Sequence, residues 1–137
     1  SVYADIHGTA GRLPGCFQAY IGTSPQHVHT AVGGFLEEMH RIQDETVSKA
    51  ELKLARDYLV GSSPLGFERA SQRAAYLVTA EVYGHADDHL AKLPGQFAAV
   101  TAKMVRDAAR KHLRPDRCCL SASGPVTKQD LRRALAQ

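Results

Sequence analysis

Val47-Ser48-Lys49-Ala50-Glu51-Leu52-Lys53-Leu54-Ala55-Arg56-Asp57-Tyr58-Leu59-Val60-Gly61 is the stretch that decides how the rest of this chain is read. Ser48 followed three residues later by Glu51 is a capping-box pattern. The hydroxyl can accept from the backbone N–H near Glu51, and the carboxylate can reach back to the N–H of Ser48. A helix is therefore expected to begin there. Leu52, Ala55 and Leu59 fall on one face and Lys49, Lys53, Arg56 and Asp57 largely on the other, so one stripe is expected to be buried against a core.

Working outward, Val2, Ala4 and Ile6 alternate with Tyr3, Asp5 and His7, and Phe17, Ala19 and Ile21 alternate with Cys16, Gln18 and Tyr20. That period reads as two half-buried antiparallel strands joined through the turn-rich stretch Gly8 to Gly15. Pro25 sits at a first helical position, and Val28, Ala31, Val32, Phe35, Leu36, Met39 and Ile42 mark one face of a helix of about four turns. After the Ser48 helix, Gly61 to Gly66 should weaken it, with Pro64 disfavouring helical geometry at Ser63. Further helices are expected from Glu68 to Tyr83 with Gly84 as terminator, from Asp87 to near Pro94-Gly95, and from Thr101 to before Pro115. Arg117 to Ser123 reads as a third strand, and Thr127 with Asp130 repeats the cap pattern before a short last helix. The order implies an α+β fold: an antiparallel sheet with helices packed on one face.

The 137 residues suit a single domain, one that buries only about two-thirds of its unfolded surface. No apolar run is long enough to span a bilayer, and no signal peptide is present. Cys16, Cys118 and Cys119 are odd in number and lack paired spacing, so they are expected to be buried thiols in a reducing compartment such as the cytoplasm; nothing else bears on localisation. Net charge is +3, but residues 1 to 68 hold 5 basic and 8 acidic side chains and the remainder 12 and 6. Lys103, Arg106, Arg110, Lys111, Arg114 and Arg117 carry much of the excess. Without interleaved aromatics or a binding motif they read as a solvated face opposite Val105, Ala108, Ala109 and Leu113, not as a nucleic-acid surface.

The capped helix has informative neighbours. Gly22-Thr23-Ser24-Pro25 closes an extended segment before a helix, and Glu81-Val82-Tyr83-Gly84 and Leu113-Arg114-Pro115-Asp116 follow downstream. In that order and spacing, with Ser1-Val2-Tyr3-Ala4 at the start, the chain from Ser1 to about Pro125 resembles the insulinase/pitrilysin class of zinc metallopeptidases, the inverzincins, and among them the processing-peptidase-like members. The matching region is the later part of that family's second, non-catalytic domain, and residues 1 to 137 are read as one such domain. The resemblance implies zinc bound by H-x-x-E-H in a separate first domain, and an Arg and a Tyr just before a strand like Val2 to Ala4 that hold substrate. Neither set is in this chain.

The chain is thus expected to be an incomplete C-terminal domain with no catalytic, cofactor-binding or metal residues of its own. Its role would be to close the substrate chamber of a zinc-dependent metalloendopeptidase, working on peptides together with an N-terminal peptidase domain or a paired subunit. The alternative is a domain of a catalytically inactive family member acting as an assembly or structural subunit.

One local pattern competes with that reading. His85-Ala86-Asp87-Asp88-His89 has the skeleton H-x-x-D-H, which on a helix would set two imidazoles one turn apart. Asp is a short substitute for a water-activating Glu, and Gly84 marks a helix junction, so the pattern reads as coincidence in a chain with 7 His. His27 and His29 lie two apart, diverge on a helix and read as surface. Ser62, Ser63, Ser121 and Ser123 lack the G-x-S-x-G elbow, and Gly8, Gly11 and Gly15 do not open a helix as a phosphate loop would. Tyr3, Tyr20, Tyr58, Tyr76 and Tyr83 read as residues of the core boundary.

Overall fold

The computed structural model describes residues 2–7 and 14–136. It is mostly helical, with β1 (Val2–His7) and β2 (Cys16–Ile21) followed by α1 (Val28–Asp44), α2 (Lys49–Ser62), α3 (Ala70–Tyr83), α4 (His89–Ala99), α5 (Ala102–His112) and α6 (Lys128–Leu135). This is an α+β composition. Among the described residues the sheet has two strands, paired antiparallel as expected, with Tyr3 opposite Tyr20 and Ala4 opposite Ala19. Most of the turn between the strands lies outside the described residues.

Two sheet expectations are corrected. Residues 118–123 form no strand, although Cys118 has extended backbone angles, because a strand exists only where a neighbour supplies the ladder bonds, and among the described residues the ladder runs between β1 and β2 alone. The expected half-burial of both strands is corrected in part: Ala19 and Ile21 of β2 are half-buried, whereas Val2 is 64% and Ile6 77% exposed. Its side-chain anchor is the stack of Tyr3 on Tyr20, ring centroids 5.0 Å apart, a cross-strand pair of the kind that holds a hairpin register.

Contacts divide the chain into two units. The first contains the hairpin, α1, residues 105–112 of α5, and α6. Pro25 opens a short 3-10 turn that leads into α1, and the seven apolar positions read from the sequence are the half-buried or buried face of that helix. Helix α6 packs on α1. The C-terminal ends of α1 and α5 are tied by two hydrogen bonds: Arg110 Nε donates to the Gln43 carbonyl at 2.6 Å, and Gln43 Nε2 donates to the Leu113 carbonyl at 3.2 Å. Among the described residues only Val32, Ala109 and Ala134 are buried, and all three belong to this unit.

The second unit contains α2, α3 and α4. Ser48 caps α2 as expected, with Glu51 N–H donating to Ser48 Oγ at 3.2 Å and Ser48 N–H to Glu51 Oε2 at 3.0 Å. Pro64 does not break the path: Ser63 keeps right-handed helical angles and Ser63–Phe67 continues as a 3-10 segment. Helix α3 ends at Gly84, whose φ of 65° is left-handed. His85 N–H donates to the Ala80 carbonyl at 2.8 Å and Gly84 N–H to the Glu81 carbonyl at 3.2 Å, the paired bonds of a Schellman stop.

Helix α4 overturns the expected stop near Pro94-Gly95, running through Pro94 to Ala99. An interior Pro removes one hydrogen bond and costs roughly 3 kcal/mol. Leu90, Leu93 and Phe97, the half-buried stripe of α4 at helical spacing, supply the opposing packing, and α4 lies against α2. Arg56 is corrected as well. Instead of pointing to solvent it is half-buried and donates through Nη2 to the Val100 carbonyl.

Candidate functional site

The Schellman stop at Gly84 turns the chain so that His85 lies between α3 and α4, while His89 is the first residue of α4. Their imidazole rings nonetheless meet, centroids 4.0 Å apart and tilted by 31°. Tyr83, the last residue of α3, also stacks on His85, ring centroids 5.7 Å apart. His85 Nδ1 is enclosed with no hydrogen-bond partner, and Asp88, the acidic member of H-x-x-D-H, forms an ion pair with Lys92 at 2.7 Å. The sequence motif is therefore a three-ring stack closed by a surface ion pair.

Zinc does not fit these residues as a catalytic metal. Such a site needs three protein ligands converging on tetrahedral positions, whereas imidazole lone pairs lie in the ring plane and two rings in near face contact aim them side by side. Among the described residues, no group of three or more His, Cys, Asp and Glu side chains is placed to hold a metal ion.

The other candidate residues are dispersed. Cys16, Cys118 and Cys119 are all exposed free thiols, which corrects the expectation of buried ones: with so few buried positions, neither the hairpin nor the 118–123 segment offers an interior. His27 lies on the 3-10 turn and His29 in α1, both exposed. Tyr58 is 71% exposed, further out than a core-boundary residue. Tyr76 keeps the boundary role, set edge-on to Phe67 at 5.3 Å.

The basic residues divide in a way that periodicity does not reveal. Arg110 holds the Gln43 carbonyl. Arg114 grips Asp116 through two bonds, Nε to Oδ1 at 3.0 Å and Nη2 to Oδ2 at 2.8 Å, with Arg117 Nε at 3.9 Å from the same carboxylate. The Arg114 guanidinium beside it holds the Asp116 carboxyl below the usual carboxylate range. Arg106 is half-buried, and its Nε has no partner. Of these cations Arg110 joins two distant segments, while Arg114 and Arg117 act on the neighbouring Asp116.

No helix among the described residues is long and apolar enough to cross a membrane. No protein-family model, curated protein or solved structure matches this chain.

Proposed function

We propose that this chain is a non-catalytic domain of a processing-peptidase-like zinc metalloendopeptidase, closing the chamber in which peptides are cleaved at a zinc site held elsewhere. The reading is supported by the ordered set of signals along the chain: the strand at Val2, Gly22 to Pro25 ahead of α1, the Ser48/Glu51 cap of α2, and the Gly84 stop of α3. In this reading the chain contributes architecture, with His85 and His89 as packing partners at the end of α3. Zinc, in this reading, belongs to the H-x-x-E-H domain.

The test is hydrolysis of an internally quenched peptide by this chain alone and by the full product of its coding sequence. Chelator-sensitive cleavage by the full product, with none from the chain, supports the proposal. A full product that lacks H-x-x-E-H, cleaves nothing and is recovered in a larger complex would instead favour the assembly-subunit reading. Cleavage by the chain alone would refute both.

A further inference from the structure

We infer that Cys118 and Cys119 form a reversible redox site, whose adjacent thiols are oxidised to a disulfide by a low-molecular-weight disulfide of the glutathione type. Both thiols are free and exposed. Neighbours in a strand could not react this way, because successive side chains there take opposite faces. Residues 118–123 form neither strand nor helix, and among the described residues no hydrogen bond engages residues 119–123. No ladder has to open for the two sulfurs to turn toward each other. The one restraint lies at the start of the pair, where Cys118 N–H donates to the Pro115 carbonyl at 3.4 Å and closes the 3-10 turn Pro115–Arg117.

The chemistry is thiol–disulfide exchange in two steps. The thiolate of one cysteine attacks a sulfur of the small disulfide; a new S–S bond forms and the old one breaks, releasing the first small thiolate. The thiolate of the other cysteine then attacks the protein sulfur of that mixed disulfide and displaces the second small thiolate. Two cysteine protons pass to the two leaving thiolates, and the two electrons lost by the cysteines reduce the small disulfide. Adjacency makes the second step intramolecular, so the mixed disulfide is resolved before it accumulates.

Adjacency also makes the product easy to reduce. Consecutive Cα atoms are about 3.8 Å apart, below the ~4.4–6.8 Å that an unstrained disulfide spans. A strained and exposed disulfide is a labile one, suited to a switch and not to a structural staple. Closing the ring takes Cys118 away from its extended angles, φ of −80° and ψ of 154°, and so pulls on its bond to Pro115. The turn that this bond closes carries Asp116, gripped by Arg114. Oxidation therefore loosens the turn that follows α5. Cys16, alone in β2, has no neighbour to resolve a mixed disulfide. This inference is independent of the peptidase proposal.

The test is equilibration of the whole reduced chain with mixtures of reduced and oxidised glutathione, read by peptide mass after acid quenching, with circular dichroism as the folding control. The peptide holding Cys118 and Cys119 should lose two hydrogens and carry no glutathione, and dithiothreitol should restore it. Cys118→Ser and Cys119→Ser should each hold roughly tenfold more glutathione on the remaining thiol than the wild-type pair does, since neither can resolve it. Cys16→Ser should leave the pair unchanged. Hydrogen exchange at the Cys118 amide should quicken on oxidation of the wild-type chain but not of Cys119→Ser. Glutathione retained at the wild-type pair as in the single variants, disulfides formed instead with Cys16 or between copies, or a closed ring that leaves the Cys118 amide unchanged would each overturn the inference.

Discussion

His85 and His89 hold their rings 4.0 Å apart across the turn that leads into α4, and Tyr83 stacks on His85. Two imidazoles arranged this way are packing partners, so the motif that most resembles a metal site is part of the α3–α4 junction. Zinc added to the purified chain should show no stoichiometric submicromolar binding by calorimetry, and a chelator should leave thermal unfolding unchanged. Binding that disappears in His85→Ala/His89→Ala would show that the rings separate to take metal.

Gly84 makes this junction possible. Its φ is 65°, and a Cβ built there meets nothing within 4 Å, so any penalty on substitution comes from the backbone alone. Gly84→Ala should destabilise the chain by about 1 kcal/mol, and Gly84→Asn by less, because Asn tolerates the left-handed region. Denaturant midpoints at constant slope measure both.

Removing the Ser48 cap should cost about 1 kcal/mol in Ser48→Ala, with Ser48→Asp nearly neutral because its carboxylate can accept the same bond. Hydrogen exchange at Glu51 and Leu52 localises the effect. Faster exchange confined to α1 would contradict it.

Gln43 links α1 to Leu113 and receives Arg110 on its own carbonyl. Gln43→Ala removes the side-chain bond and leaves the backbone one, so a loss of about 1 kcal/mol is expected. Arg110→Ala removes the other bond. Because the two bonds share Gln43, the double variant should deviate from additivity, which a double-mutant cycle in urea would detect.

Acid should loosen α6. Thr127 donates to Asp130 Oδ2 from its hydroxyl at 2.6 Å and from its backbone N–H at 3.0 Å, and these bonds hold the Asp130 carboxyl below its usual range. A depressed folded-state value means the cap contributes stability above the unfolded carboxylate value and loses it as pH falls through the folded one. Amide shifts of residues 128–131 should follow that titration, and Asp130→Asn should abolish it. A Thr127 amide whose protection does not change with pH would refute the assignment.

Local signals were legible in the residues wherever they act over one turn. Both capping boxes, the Gly84 stop, the alternation of the two strands and the apolar face of α1 depend on groups a few positions apart, so spacing alone reveals them. Arg110 and Arg56 were legible as charges but not as joints, because Arg110 finds its acceptor 67 residues away and Arg56 finds Val100 at a separation of 44.

The sequence by itself determined the capped starts of α2 and α6, the stop of α3 at Gly84 and the antiparallel pairing of β1 with β2, since those are properties of short-range hydrogen bonding and side-chain period. Only the tertiary structure decided that Arg117 to Ser123 forms no strand, that Pro94 is carried inside α4, that the three thiols are exposed, and that Leu54 and Tyr58 face outward. Each of these turns on whether a distant element comes close enough to pair or to cover. A strand needs a neighbour's backbone, a tolerated proline needs packing to offset its lost bond, and burial needs a second surface, none of which is written in the residue itself.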